Sequence, residues 1–336
     1  MLPSLLLPPL PSCIAYHLEM DDDSNEIIHD YKPFFRIYKN GRVERFINSG
    51  TVPPSTEPTG VTSKDVVIQA DPAIGARLYL PKLADPPQKL PILVYYHGGA
   101  FCIESAYSPH YQRFLNTLVA QANIVAVSVD YRLAPEHLLP AAYEDCWAAL
   151  QWVASHASGS GPEPWIADHA DFSRLIIAGD SAGGNITHNI ALRAGREEIG
   201  HGVKIDGAMV IHPYFWGAES IGDEMRFRKL EEGKPNVWLF ICPGTSGLDD
   251  PRINPMAEGA LSLSGLGCVR LLVCVAQLDM FKDRGWLYYR TVEGSGWTGT
   301  LDIYPVDEED HVYHLLRPET DNARLMIKRL SAFLNP

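Results

Sequence analysis

The sequence lacks the short motifs that mark many metal and nucleotide enzymes. It contains no pair of cysteines separated by two residues, no His-Glu-x-x-His and no EF-hand loop. No Gly-x-Gly-x-x-Gly follows the first strand-like segments, where a dinucleotide-binding fold would carry it. We therefore expect a protein that works without a metal ion and without a nucleotide cofactor.

Long apolar runs and positive charge are also scarce. The chain has no uninterrupted apolar run of about eighteen residues, the length that a membrane-spanning helix needs. Lys and Arg number 28 against 41 Asp and Glu, so the net charge is −13. A negative surface repels phosphate groups, and nucleic acid and anionic membranes are therefore poor partners for the chain as a whole. The 46% of hydrophobic residues is ordinary for a globular protein.

The six cysteines show no arrangement typical of a disulfide framework. Their even number would allow three disulfides, but most stand among apolar or aromatic neighbours, such as Cys146 beside Trp147 and Cys274 between two valines. We expect free, buried thiols in a reducing compartment, and hence a cytoplasmic protein. The cysteines are residues 13, 102, 146, 242, 268 and 274.

The segment 1–19 differs from the remainder of the chain. It is mostly apolar, contains no Lys or Arg, and is interrupted by Pro8, Pro9 and Pro11. A secretory signal needs a positively charged start and an unbroken apolar stretch. We interpret 1–19 as a disordered extension, and a plastid or secretory leader is the alternative.

Short apolar runs alternate with longer helical patterns along most of the chain. Several runs are nearly continuous Val, Ile and Leu, as in strands of a parallel sheet that helices cover on both faces. This alternation predicts an α/β fold with a mostly parallel sheet flanked by helices. The predicted strands are 66–69, 76–80, 92–96, 124–130, 175–178, 207–211, 271–275 and 301–304, and the predicted helices are 111–122, 141–155, 184–193, 284–293 and about 319–333.

Two segments interrupt the alternation. Residues 20–60 contain four prolines and little periodicity, and residues 213–267 are rich in Pro, Gly and aromatic side chains. Long irregular segments in a compact domain are usually lids or binding loops. We predict a single domain over 20–336 in which both segments form a cap over a site at the carboxyl edge of the sheet. Surface decoration is the alternative.

The strongest local signal is a strand-like run that leads into Gly-x-Ser-x-Gly and then into a helix, at residues 175–186. This order predicts a sharp, strained turn that lifts the Ser181 hydroxyl above the sheet. Strand and helix approach so closely at such a turn that the residues two before and two after the serine must be small. Gly179 and Gly183 satisfy that requirement, and Ser181 is the candidate nucleophile.

A second glycine motif follows an earlier strand. His97, Gly98 and Gly99 come directly after the run 92–96, and consecutive glycines can aim backbone N–H groups at one point. Together with the N–H of Ala182 at the next helix start, the amides of Gly98 and Gly99 are the predicted oxyanion hole, with His97 as a motif residue. A mere tight turn is the alternative.

Two polar residues follow late strands and complete the candidate site. A serine is a poor nucleophile unless a base takes its proton and a carboxylate orients that base. In a fold with this serine turn, the acid and then the base follow the serine along the chain. Asp279 comes after the strand 271–275 and His311 after the strand 301–304. We predict Asp279 as the acid and His311 as the base.

Other titratable residues nearby have simpler interpretations. We expect Asp283 at a solvated helix start and His314 packed or at the surface one turn beyond His311. His212 also follows a strand, but it precedes any suitable carboxylate in chain order. The acidic segment 307–310 is expected to be a solvated loop rather than a cation site.

The combined motifs resemble those of the plant carboxylesterases in the hormone-sensitive-lipase-like branch of the α/β-hydrolases. The resemblance covers residues from about 25 to 335 and implies an α/β-hydrolase fold with a mostly parallel, eight-stranded sheet. It also implies that Ser181, Asp279 and His311 are nucleophile, acid and base, and that the oxyanion donors are the three amides named above. The motifs are residues 38–45, 96–102, 130–137, 179–185 and 310–311.

Parts of the chain resemble particular subgroups of this family. Residues 213–217 and 294–297 are similar to the 2-hydroxyisoflavanone dehydratases, which often carry threonine at the nucleophile position, so Ser181 favours ester hydrolysis. Gibberellin receptors, which are also related, lack the triad histidine, whereas His311 is present here. Ala100 stands where many relatives have a third glycine, which implies a slightly narrower acyl pocket.

The resemblance therefore implies a serine carboxylesterase that works through an acyl-enzyme and needs no cofactor. The aromatic residues of the segment 213–267 point to small apolar or aromatic esters as substrates. A lyase of the dehydratase type is the alternative, and a small-molecule receptor is the less favoured one.

Overall fold

An eight-stranded sheet forms the centre of the protein, in a computed structural model that describes residues 25–56, 59–84, 88–159, 161–230 and 232–336. Each of the eight predicted strands overlaps one of its strands, and the predicted fold class is confirmed. The predicted extension 1–19 lies outside the described residues. The strands are β4 (Thr62–Ala70), β5 (Ala73–Leu80), β6 (Leu90–Tyr96), β7 (Val125–Asp130), β8 (Ala170–Asp180), β9 (Ile205–Ile211), β10 (Cys268–Ala276) and β11 (Thr300–Val306).

The order of strands across the sheet is β11-β10-β9-β8-β6-β7-β5-β4. Neighbouring strands run parallel except in the pairs β4–β5 and β5–β7. The loops that follow β6, β8, β10 and β11 therefore emerge from the same edge, and these loops carry the candidate site residues.

Helices cover both faces of the sheet. The five predicted helices correspond to α1, α2, α4, α7 and α9, and none of the helices in the described segments is long and apolar enough to cross a bilayer. Four shorter helices lie in segments without a clear periodic pattern. The helices are α1 (Pro109–Ala122), α2 (Ala141–Ala154), α3 (Pro164–His169), α4 (Ala182–Ala194), α5 (Glu224–Leu230), α6 (Val237–Ile241), α7 (Lys282–Gly294), α8 (Tyr313–Leu316) and α9 (Asp321–Leu334).

Strand β6 shows why the central strands read as continuous apolar runs. All seven of its residues are buried, and they alternate between two cores. Ile92 and Val94 pack with α2, α4 and α7 on one face, whereas Leu93 and Tyr95 pack with α1 and α9 on the other. A strand that is buried on both faces has no solvated side, so the period-two pattern disappears.

The two irregular segments of the sequence contact each other. The first forms a small antiparallel sheet of β1 (Ile27–Tyr31), β2 (Phe35–Tyr38) and β3 (Val43–Arg45), which the sequence did not predict. The second contributes Phe240 of α6, whose ring lies 4.8 Å from that of Tyr31. Aromatic packing therefore joins segments about 200 residues apart in sequence.

The cysteines in the described residues are free and buried, as predicted. These are Cys102, Cys146, Cys242, Cys268 and Cys274, and Cys13 lies outside the described residues. Burial raises the pKa of the Cys146 thiol well above its usual value, so this side chain behaves as an apolar core residue.

The turn between β8 and α4 is as tight as the motif predicts. A Cβ atom built on Gly183 would lie 1.9 Å from the carbonyl oxygen of Tyr96, and one on Gly179 would lie 2.4 Å from the carbonyl carbon of Gly183. Both contacts are with backbone, which cannot move aside as a flexible side chain can. The glycines therefore permit the close approach that places Ser181 at the sheet edge.

We predict that Gly183→Ala lowers the free energy of unfolding by about 2–3 kcal/mol or more, because the added methyl overpacks β6 against α4. Gly294→Ala is the matched control, since a Cβ atom at that helical position meets nothing within 4 Å. Urea denaturation followed by circular dichroism measures both variants. Equal stability of Gly183→Ala and the wild type would contradict the steric argument.

Candidate active site

Ser181 occupies a strained turn between β8 and α4. Its backbone has φ +54° and ψ −117°, a conformation that residues with a Cβ rarely adopt. Its N–H donates to the carbonyl oxygen of Ile211 at 2.9 Å, and its own carbonyl accepts from the N–H of Tyr214 at 2.9 Å. Contacts on both sides therefore hold the serine in place.

Asp279 and His311 form a hydrogen-bonded pair at the same edge of the sheet. Nδ1 of His311 lies 2.8 Å from Oδ2 of Asp279, although the two residues are 32 positions apart in sequence. The other oxygen of Asp279 accepts from the N–H of Phe281 at 2.9 Å. Asp279 is buried, so its charge acts on the imidazole with little screening by water.

The pair shifts both pKa values toward the charged forms. Burial alone would lower the pKa of His311, but the charge and hydrogen bond of Asp279 outweigh it and the pKa is raised. Burial would raise the pKa of Asp279, but the charge and hydrogen bond of His311 outweigh it and the pKa is lowered. Each group thus stabilises the ionised form of the other.

A cavity of about 660 Å³ is lined by three of the seven predicted site residues. These are Ser181, His311 and Gly99. Asp279 lies behind the lining, where it is hydrogen-bonded to His311. Both irregular segments contribute to the wall, the first through Tyr31 to Phe34 and the second through residues such as Trp216. Apolar and aromatic side chains form most of the lining.

The amide of Gly98 is not available as an oxyanion donor, and this prediction is wrong. Its N–H donates to the hydroxyl oxygen of Tyr111 at 2.6 Å. Gly99 and Ala100 line the cavity instead, both with positive φ (+106° and +51°). Ala182 is the first residue of α4, where an N–H has no acceptor within the helix. The candidate donors are therefore Gly99, Ala100 and Ala182.

His97 supports this loop from within the core rather than entering the cavity lining. Its side chain is fully buried and stacks on the ring of Tyr131 at 4.2 Å. Nδ1 of His97 lies 2.7 Å from the carbonyl oxygen of Gly98. Burial lowers the pKa of His97, so the imidazole is neutral at physiological pH.

Asp180 is a feature that sequence reasoning missed. It is buried beside the nucleophile, and burial raises its pKa to about 6 even though two hydroxyl groups donate to it. Tyr95 donates to Oδ1 at 2.7 Å and Tyr111 donates to Oδ2 at 2.9 Å. Since Tyr111 also accepts from Gly98, a chain of hydrogen bonds links Asp180 to the glycine loop. An acidic residue at the end of an apolar strand was the available signal.

The remaining titratable residues mostly match the earlier interpretations. His314 is buried in α8 and packs against the ring of Phe114 at 5.2 Å. Asp283 lies in the first turn of α7. The acidic segment 307–310 is exposed as predicted except at Glu309, which is buried and accepts from Asn322 at 3.0 Å. These contacts account for the three side chains through packing and local hydrogen bonds.

One group of potential metal ligands lies within the described residues. His212, Asp279 and His311 each offer an atom, and the atoms lie within 4.8 Å of one another. Nδ1 of His311 and Oδ2 of Asp279 already bond to each other, so this arrangement is explained without an ion. The geometry supports a proton-transfer pair.

A parallel sheet with a serine on a strained strand–helix turn and a His–Asp pair at the same edge defines an α/β hydrolase. Residues 93–315 match the family model described as alpha/beta hydrolase fold, and the chain belongs to this family. The resemblance to plant carboxylesterases that the motifs indicated is confirmed by the relatives.

Two relatives and one solved structure illustrate the similarity. A 2-hydroxyisoflavanone dehydratase of Glycyrrhiza echinata is 47% identical over 318 residues, which cover 93% of this chain and 97% of the relative. Probable carboxylesterase 7 of Arabidopsis thaliana is 45% identical over 92% of this chain and 98% of its own. The thermophilic carboxylesterase EstE1, cloned from a metagenomic library, superposes with a TM-score of 0.66 at 27% identity, over 85% of this chain and 90% of that chain.

We predict that Asp279→Asn lowers the pKa of His311, because the variant removes the negative charge and leaves the burial that disfavours the imidazolium. NMR titration of histidine labelled at Cε1 measures this pKa, with the signal assigned by its loss in His311→Gln. Asp310→Asn is the control, since its side chain bonds to the backbone N–H of His311 rather than to the ring, and we expect a smaller decrease. A pKa that stays the same or rises in Asp279→Asn would contradict the prediction.

Proposed function

We propose that this α/β hydrolase is a serine carboxylesterase that cleaves small apolar or aromatic esters. The class, a carboxylic ester hydrolase, follows from the family and from the carboxylesterases and esterases among its relatives. The proposal adds the residues that carry out the reaction and the type of ester that is cleaved. The observation that carries it is that Ser181 and the Asp279-paired His311 line one apolar cavity.

In the proposed reaction, Oγ of Ser181 attacks the ester carbonyl carbon while His311 takes its proton through Nε2. The imidazolium that forms is stabilised by the buried carboxylate of Asp279 at 2.8 Å. His311 then protonates the leaving alcohol as the C–O bond breaks. In the second half, His311 removes a proton from water, which attacks the acyl-enzyme and releases the acid and Ser181.

The oxyanion of each tetrahedral intermediate needs hydrogen-bond donors. We assign this role to the N–H groups of Gly99, Ala100 and Ala182, each of which supplies on the order of 3 kcal/mol of transition-state stabilisation. The strained backbone of the loop after β6 is what turns the amides of Gly99 and Ala100 away from regular strand geometry.

The cavity supports apolar or aromatic substrates. Its volume of about 660 Å³ lies in the range of small-molecule sites, and Tyr214, Trp216, Met280 and Phe281 contribute to its wall. Such walls favour flat or branched apolar groups through burial of surface. We propose that the segments 20–60 and 213–267, which both line the cavity, act as its cap.

A dehydratase is the second candidate, because dehydratases from Glycyrrhiza echinata and from Glycine max are 47% identical to this chain. In that reaction His311 would remove a proton next to a carbonyl group, and the same amides would hold the enolate-like oxygen as water leaves. Such an elimination does not need Ser181 as a nucleophile.

We expect Ser181→Ala to lower kcat for p-nitrophenyl acetate by about 10⁴-fold or more, since no attacking oxygen remains. A fluorophosphonate probe should label the wild type and not the variant. The wild type and Ser181→Ala are also assayed with a 2-hydroxyisoflavanone. Dehydration of this substrate by Ser181→Ala would favour the second candidate. Wild-type ester turnover by Ser181→Ala would refute the esterase proposal.

We also expect Tyr111→Phe to lower kcat about tenfold, because it leaves the Gly98 amide and one oxygen of Asp180 without their partner. Tyr95→Phe is the matched control, since its hydroxyl bonds to Asp180 but not to the glycine loop. Steady-state kinetics with p-nitrophenyl acetate compares the two. If both variants lose the same activity, the link from Tyr111 to the glycine loop has no effect on catalysis.

A further inference from the structure

His212 lies beside the Asp279–His311 pair without a role in the reaction proposed above. It follows β9 directly, and its side chain is only 1% exposed. One of its ring nitrogens lies within 4.8 Å of both a carboxylate oxygen of Asp279 and a ring nitrogen of His311. Its ring also packs against Tyr313 and His314 of α8, at 5.6 Å and 5.5 Å. In the described part of the chain, Asp279, His311, Tyr313 and His314 are the titratable side chains placed against this ring.

A single hydrogen bond defines the protonation of this imidazole. Nδ1 of His212 lies 3.1 Å from the backbone N–H of Val312, which can only donate. Nδ1 is therefore the unprotonated nitrogen, and the proton of the neutral ring is on Nε2. Burial lowers the pKa of His212 to about 4, so the ring keeps this form throughout the neutral range.

The residue that His212 holds is strained. Val312 has φ +46° and ψ +32°, in the left-handed region that a β-branched side chain rarely enters, and it directly precedes α8. Such a conformation persists only where surrounding contacts hold it. Because Val312 joins His311 to α8, its backbone conformation sets how the peptide of His311 is oriented relative to that helix.

His212 is itself attached to a rigid part of the fold. Its backbone N–H donates to the carbonyl oxygen of Cys274 in β10 at 2.9 Å, and it too has a positive φ of +42°. The bond from its ring to Val312 therefore ties the loop after β11 to the ends of β9 and β10. Asp279 follows β10, so the same attachment relates His311 to its carboxylate partner.

We propose that His212 is a positioning residue whose neutral imidazole accepts the Val312 N–H and thereby keeps His311 aligned with Asp279 and Ser181. The inference rests on the proposed function for its effect on turnover. It predicts that the acceptor at the Nδ1 position matters, and that the remainder of the ring matters less.

Two amide variants separate these contributions. In His212→Asn the side-chain oxygen can take the place of Nδ1, whereas in His212→Gln the amide lies one carbon farther out. We expect His212→Gln to lower kcat about 10- to 100-fold with KM nearly unchanged, because a displacement of about 1 Å at a catalytic group has this effect. His212→Asn should stay within about threefold of the wild type, since it keeps the acceptor. Rates are divided by the concentration of active sites, measured by titration with a fluorophosphonate, so that unfolded protein does not contribute to the comparison.

The pH profile gives a readout that reduced folding would not change. In His212→Gln we expect a looser contact between His311 and Asp279, which lowers the pKa of His311. The acid limb of the pH profile of kcat therefore moves to lower pH. His314→Gln is the control, because His314 packs in the same cluster but is not the residue that bonds to Val312. Its acid limb should coincide with that of the wild type.

Equal losses in His212→Asn and His212→Gln, or a normal rate and profile in His212→Gln, would overturn the inference. So would an equal effect of His314→Gln. Failure of the proposed function is recognised separately, by turnover that survives Ser181→Ala. In that case NMR titration of His311 in the same His212 variants still tests the positioning role, since it needs no turnover.

Discussion

The close approach of β8 and α4 around Ser181 is the constraint on which the rest of the site depends. Because Gly179 and Gly183 carry no side chains, the strand can turn into the helix over one residue. That residue takes a strained conformation and places its hydroxyl at the carboxyl edge of the sheet. Parallel strands end at the same edge, so the loops after β6, β10 and β11 reach the serine without long excursions.

Asp279 and Asp180, two buried carboxylates at this edge, differ in pKa because their partners differ. Asp279 faces an imidazole that can carry positive charge, and its pKa is lowered. Asp180 faces the hydroxyl groups of Tyr95 and Tyr111, and its pKa is raised to about 6. Neutral donors compensate for lost hydration less than an opposite charge does. Asp279 is thus suited to stabilising an imidazolium, whereas Asp180 is suited to holding Tyr111 and the glycine loop.

The sequence predicts those parts of the structure that follow from local pattern and chain order. Eight strands, five helices and the placement of Ser181, His311 and Asp279 at one edge of the sheet are of this kind, because apolar runs and parallel topology determine where strands end. The sequence predicts the amide of Gly98, rather than that of Ala100, as an oxyanion donor. The hydrogen bond that occupies the Gly98 amide is to Tyr111, which lies in α1 and is not part of the glycine motif. The sheet β1–β3 was missed because its strands are short and partly exposed. Contacts between distant segments carry no local pattern.

Hydrolysis and dehydration place similar demands on this edge of the sheet, which explains how one family includes both. Each reaction needs a base and donors for an oxygen that gains negative charge, and in both proposed mechanisms His311 and the loop amides would supply them. The reactions differ in whether the substrate presents a carbonyl carbon to Ser181 or an acidic C–H group to His311. That choice is made by the walls that orient the substrate. Since part of the cavity wall comes from the two irregular segments, specificity can change there while the sheet and its turn stay the same.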